Sequence, residues 1–170
     1  MTPPAPAMPS LPRRGAASAM THSLPLRVYY EDTDAAGIVY YANYLKFAER
    51  GRTEMMRALG FAHSAIVAQS GTIFTVRRLS ADYRLPARLD DALTVATRVV
   101  ELAGATVRLD QQILRDGTVL VALDVLVACV GADGRPRRVP AGLRAALLSC
   151  GPSCAAPLDR PNDAIKGRHQ

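Results

Sequence analysis

Residues 31–47 read EDTDAAGIVYYANYLKF: three acids within four positions, then Gly37, then an apolar and aromatic run that turns polar at Asn43 and Lys46. A carboxylate does chemistry only where the chain aims it. Glu31 closes the preceding apolar stretch and Asp32 has no glycine turn behind it. Asp34 precedes Gly37, where the backbone can bend sharply and return Ile38, Val39 and Tyr40 to a core. Most aspartates ahead of a helix serve as N-caps or Asx turns. With a helix beginning near Ala42, Asp34 stands about seven positions too early to cap it, and Asn43 is the local cap if the helix begins one residue later. A solvated turn acid is the competing reading. The functional one is a carboxylate delivered beside the positive end of a helix, whose unpaired amides polarise a carbonyl oxygen as charge develops on it. That pair suits acyl transfer or hydrolysis.

The positioning elements follow from periodicity. SLPLRVYYE, residues 23–31, suits a first strand with Pro25 at its open end. Tyr44, Ala48, Gly51, Met55 and Leu59 recur at spacings of three and four, which predicts one amphipathic helix over 42–59. Gly60 takes the C-cap, Arg57 lies in the favourable last turn, and Arg50 and Glu54 are spaced for an i,i+4 pair. Ala48 and Gly51 on the apolar stripe let this helix lie close on a sheet. In TIFTVRRLSADYRL, Phe74 and Val76 share one parity and Leu79, Ala81 and Tyr83 the other, so a bulge near Arg77 and Arg78 is predicted. LTVATRVVEL and ATVRLDQQIL are two further strands, and Asp116-Gly117 predicts a type I′ hairpin into TVLVALDVLVACV. That last strand is apolar on both parities apart from Asp124, so both its faces are expected to be covered. One helix covers one face, and a second subunit or another layer is expected on the other, which argues for a dimer. PAGLRAALL, residues 140–148, closes the pattern as a short helix. His63, just past the long helix, is expected to pack or face solvent rather than to catalyse.

The rest of the chain bounds the function. Its 170 residues, 49% hydrophobic, suit one domain with a real core. Of the net charge of +6, half lies in residues 1–22 and 150–170. No basic block is interleaved with aromatics and Trp is absent, which argues against nucleic acid. Cys129 reads as a buried free thiol, while Cys150 and Cys154, in CGPSC, have only His169 after them, too few ligands for a metal. The Pro-rich opening lacks the apolar core of a secretory signal, with Met20 the expected start, and nothing approaches the length of a membrane span. A cytoplasmic protein is expected, with a disordered extension over 1–22, one domain over 23–149 and a disordered tail over 150–170.

YYEDTDAAGIVYYANYLKFAERGRTE, with FTVRRLSADYRLPARLDD and GRPRRVP, resembles the hotdog-fold acyl-CoA thioesterases. Within them it is most similar to the 4-hydroxybenzoyl-CoA thioesterase family and its Tol-Pal system-associated branch, from about Leu26 to Leu148. The resemblance implies an α+β hotdog fold, a five-stranded antiparallel sheet wrapped around one long α-helix, and dimers, often paired into tetramers, with the active site at a subunit boundary. It places the catalytic carboxylate on Asp34 and the carbonyl-polarising backbone amide on Tyr41. Many members of the Tol-Pal branch have His at the position of Tyr41 and a second Gly at that of Ala36, so this chain keeps the amide and lacks the imidazole. Expected substrate contacts are Gly37 and, for the anionic phosphates of CoA, Arg77, Arg78, Arg88, Arg137 and Arg138. Each arginine equally suits a solvated edge or loop. The expected activity is hydrolysis of an acyl-CoA or acyl carrier protein thioester, with Asp34 as nucleophile or general base and neither metal nor cofactor. The alternatives are an accessory protein that binds acyl-CoA or acyl carrier protein without turnover and, less well supported for want of a histidine in the loop and helix, a hotdog dehydratase.

Overall fold

The computed structural model describes residues 21–149; the expected N-terminal extension up to residue 20 and the tail from residue 150, with Cys150 and Cys154, lie outside the described residues. Five strands form: β1 (Thr21–Arg27), β2 (Ile73–Tyr83), β3 (Ala92–Leu102), β4 (Thr106–Arg115) and β5 (Thr118–Val130). Three helices accompany them, α1 (Asn43–Ala58), α2 (His63–Ser70) and α3 (Ala141–Ser149), and a 3-10 turn spans Tyr30–Asp32. The sheet runs β1-β3-β4-β5-β2, antiparallel throughout, with α1 packed over β1, β3 and β4. This is the α+β architecture that the resemblance implied.

Local chemistry explains most boundaries. Asp116 and Gly117 both have positive φ, 51° and 78°, as a type I′ hairpin requires. The β2–β5 register slips between Val76 and Arg78, which leaves Arg77 as the bulge residue. At the end of α1 the Phe61 N–H donates to Met56 O and the Gly60 N–H to Arg57 O, the Schellman pairing that ends a helix at glycine. Cys129 is fully buried, and burial pushes its thiol up to about 11. Among the described residues no helix is long and apolar enough to cross a membrane.

Several expectations need correction. β1 includes Thr21 and His22, which pair with Arg98 and Thr97, so the first strand begins before residue 23. The same strand ends at Arg27, because the Asp32 carboxylate accepts the Tyr29 N–H at 2.9 Å and turns Tyr30–Asp32 into a 3-10 turn. Pro25 sits mid-strand opposite Thr94, on an edge strand that tolerates its missing donor. Arg50 does not pair with Glu54: its guanidinium lies 5.9 Å over the Phe47 ring, and Glu54 bonds Arg57 instead. The helix α2 is additional, and only Ile66 of it is buried.

The close approach of α1 to the sheet organises the core. Gly51 is buried where a Cβ would stand 2.7 Å from Val95 Cγ1 and 3.0 Å from Thr97 Oγ1. Beside it, Gln111 Nε2 donates to Ala48 O at 2.9 Å and to Thr97 Oγ1 at 2.8 Å, while its Oε1 accepts from Arg52 Nη1 at 2.8 Å. Every polar atom of this buried amide group is thus used, and the bonds clamp α1 to β3 and β4. Gly51→Ala should therefore destabilise the fold: an overpacking cost of ~1–3 kcal/mol outweighs a helix-propensity gain of ~1 kcal/mol. We predict a net loss of up to ~2 kcal/mol, read as a lower urea midpoint at unchanged slope. An equal or higher midpoint contradicts the close approach.

Candidate active site

The acidic segment folds as a small hairpin. Thr33 pairs with Val39, the Asp34 N–H donates to Ile38 O at 2.9 Å, and the Gly37 N–H donates to Asp34 O at 2.9 Å. Gly37 has φ +69°, the left-handed turn that the sequence reading required of it. The three acids then take different roles. Asp32 is buried at 5% exposure: its carboxylate holds Tyr29, and its carbonyl accepts both the Tyr40 N–H and Asn43 Nδ2, each at 2.9 Å. Glu31 is exposed. Asp34 is exposed and does serve its turn, Oδ1 accepting the Ala36 N–H at 2.9 Å, but Oδ2 has no partner among the described residues. Of the two aspartates, Asp34 is the exposed one, whereas Asp32 is buried with one carboxylate oxygen committed to the Tyr29 N–H.

Two contacts pin this hairpin between α1 and the crossover that joins β2 to β3. The Val39 N–H donates to Ala87 O at 2.9 Å, and Ile38 bridges Arg88. The Ala87 N–H donates to the buried Tyr44 phenolic oxygen at 2.8 Å, and burial raises that phenol above its ordinary range. The crossover is itself braced at Asp91, whose carboxylate accepts the Arg88 N–H at 2.8 Å and Arg115 Nη1 at 2.6 Å. Burial works to raise the Asp91 pKa, but these two donors outweigh it and hold the carboxyl below its usual range.

At the other limb of the hairpin the chain enters α1. Ala42 is the N-cap and offers no side-chain hydrogen bond, and Asn43 is the first helical residue, its side chain turned back to Asp32 rather than capping. The Tyr41 N–H has no partner among the described residues. Around it gather the Tyr40, Tyr41, Tyr44 and Tyr83 rings: Tyr41 lies 4.7 Å from Tyr40 and 6.3 Å from Tyr83, and Tyr83 lies 5.9 Å from Tyr44. The Tyr83 hydroxyl donates to Tyr41 O at 3.3 Å. The arrangement can present a free carboxylate oxygen and unpaired helix-end amides to one carbonyl compound.

The five expected arginines do not converge. Arg88 adjoins the hairpin through Ile38, whereas Arg77 and Arg78 lie exposed midway along the edge strand β2. Arg137 and Arg138 follow β5, near the Cys129 end, where Arg137 folds back on Gly131. From Val121, opposite Tyr83, to Val130 the strand runs about 30 Å at ~3.4 Å per residue, so within one chain these two arginines stand far from Asp34. Sequence reasoning missed Tyr44, Tyr83 and Ala87 as the residues that seat the hairpin. Their bonds span 42 and 43 residues and leave no local signal. Among the described residues no group of three His, Cys, Asp or Glu side chains converges as a metal site.

The sequence model of the thioesterase-like superfamily matches residues 28–147. The acyl-CoA thioesterase YbgC of Haemophilus influenzae is 44% identical over 126 residues, which cover 74% of this chain and 93% of that protein. The acyl-CoA thioester hydrolase YbgC of Escherichia coli O6:H1 is 43% identical over 118 residues, 68% of this chain and 87% of that one. Among solved structures, a probable thioesterase from Bartonella henselae superposes with a TM-score of 0.68 at 39% identity, covering 71% of this chain and all of the other.

Removing the Tyr44 hydroxyl tests how the hairpin is seated. Tyr44→Phe keeps the ring but leaves the buried Ala87 N–H unsatisfied, at a cost of ~1–3 kcal/mol. The predicted result is a lower unfolding midpoint together with faster hydrogen exchange at Val39 and Ala87. Unchanged exchange at both amides contradicts the seating.

Proposed function

The chain belongs to the thioesterase-like superfamily, and from that premise we propose that it hydrolyses an acyl-CoA, or the equivalent acyl carrier protein thioester, to a free carboxylic acid and a thiol. It is a thioester hydrolase, as relatives 43–44% identical over most of their length are named. The observation that carries the chemical reading is the hairpin, which holds one carboxylate with a free oxygen beside the uncapped start of α1.

In this reading the thioester carbonyl oxygen takes the Tyr41 N–H, with the positive end of α1 behind it. Asp34 then acts in one of two ways. As a general base it removes a proton from water, the hydroxide oxygen bonds the carbonyl carbon, and the C–S bond breaks to release a thiolate that regains the proton. As a nucleophile it bonds the carbon itself, expels the thiolate and leaves a mixed anhydride that water cleaves. Oxygen-18 from labelled water enters the Asp34 carboxylate in a single turnover only on the second route.

The CoA phosphates are anionic, and Arg88, beside the hairpin, is the candidate contact within the same chain, with Gly37 giving the substrate room at the turn. Arg137 and Arg138 fit that role only for the site of a neighbouring subunit. This agrees with the proposed homodimer or homotetramer, as do the half-buried Leu126 and Ala128 on the face of β5 turned away from α1. A cytoplasmic location suits a CoA substrate.

Asp34→Asn keeps the Asx turn, because an amide oxygen also accepts the Ala36 N–H, but it removes basicity and nucleophilicity. We predict a fall in kcat of at least ~10²-fold in thiol-release assays across an acyl-CoA panel, with native circular dichroism and little change in acyl-CoA affinity. Asp32→Asn and Glu31→Gln should keep turnover in the folded fraction. Near-native kcat for Asp34→Asn would remove the assignment, and ligand-induced stabilisation of the wild type without thiol release would make the protein a binder.

A further inference from the structure

At the end of the helix layer away from Asp34 lies a cavity of about 60 Å³. It opens between the second half of α1, the start of α2, α3 and the sheet, with Met55, Met56, Leu143 and Leu147 among its apolar walls. Its two basic lining residues are Arg52 and His63. Arg52 is half-buried and makes no ion pair among the described residues, its one hydrogen bond going to the neutral Gln111 Oε1. The nearest acid on its own helix, Glu49, accepts instead from Thr53 Oγ1 at 2.7 Å. Burial lowers the Arg52 pKa, the sign of a guanidinium short of compensation. Of the four half-buried arginines of the described chain, Arg98 and Arg115 pair with carboxylates and Arg144 donates to the Ala103 carbonyl; Arg52, likewise without a carboxylate, is the one that lines the cavity.

We infer that this cavity binds a short-chain carboxylate, with the head on Arg52 and the tail among Met55, Met56, Leu143 and Leu147. The volume sets the tail. An engineered cavity of about 150 Å³ takes benzene, which scales to room for ~2–3 carbons here. The methionines, flexible and polarisable, allow some variation in tail shape. A bare phosphate satisfies Arg52 but leaves the apolar space empty, and an alkylammonium fills the space but opposes the charge. Along α1 from Asn43 to Arg52 is about 13 Å at 1.5 Å per residue, so an acid bound here lies apart from the hairpin. The inference does not depend on hydrolysis, because binding is read with no thioester present. If hydrolysis is the activity, the ligand is a free acid of the class it releases.

Titration calorimetry on the whole chain tests this with four probes of similar size: butyrate, inorganic phosphate, butylammonium and butan-1-ol. Butyrate should bind saturably and more tightly than the other three. Arg52→Gln, which can still meet Gln111, should weaken butyrate at least tenfold, and Leu147→Phe, which fills the cavity, should abolish binding while circular dichroism stays native. Butyrate binding should persist in Asp34→Asn. Equal affinity for butyrate and phosphate, no saturable binding by the wild type, or butyrate binding unaltered in a folded Leu147→Phe variant would each overturn the proposal. Should Leu147→Phe not fold, an unaltered affinity in folded Arg52→Gln overturns it as well.

Discussion

The hydrogen bond from the Ala87 N–H to the buried Tyr44 phenol joins three parts of the chain that have no sequence proximity. Tyr44 belongs to the first turn of α1, Ala87 to the crossover between β2 and β3, and the Ala87 carbonyl in turn accepts the Val39 N–H of the acidic hairpin. Position of the Asp34 carboxylate relative to the open amides of α1 follows from this link. An exposed turn acid by itself would wander on a loop. Here its hairpin is held from behind by the crossover and from below by Asp32, whose carbonyl takes both the Tyr40 N–H and Asn43 Nδ2.

That arrangement needs α1 to be stationary, and the clamp beneath the helix supplies the constraint. Gly51 permits contact with Val95 and Thr97, and Gln111 ties the Ala48 carbonyl to β3 through Thr97. A glycine in a helix interior costs ~1 kcal/mol in propensity, a penalty offset by packing that no larger residue allows. The same clamp holds Arg52 beneath the helix at the rim of the distal cavity, so one polar network serves the core and leaves a cation available.

How much of this could be read from the residues depends on the range of the interaction. Spacings of three and four located α1 to within one residue at either end, and the parity change located the bulge at Arg77, because both are local patterns. The left-handed turn at Gly37 was legible for the same reason. HSAIVAQS hid α2, since its apolar residues define no single face and only Ile66 is buried. Glu31 read as strand because alternation does not reveal that Asp32 will cap Tyr29. Arg50 and Glu54 had the spacing of a pair, but spacing does not choose between that contact and the Phe47 ring. The seating of the hairpin by Tyr44, and the distance of Arg137 and Arg138 from it, depend on tertiary bonds and strand register that no short window contains.

The proposed polarisation of a thioester carbonyl at the start of α1 is the step on which the account turns, and it can be observed without turnover. Carbon-13 NMR of a carbonyl-labelled acyl-CoA bound to the Asp34→Asn variant reports electron withdrawal at the carbonyl carbon directly. A free helix-end amide beside the bound thioester predicts a downfield shift relative to the ligand in solution. A bound ligand whose carbonyl resonance stays at its solution position would contradict the placement of the thioester against Tyr41 and α1.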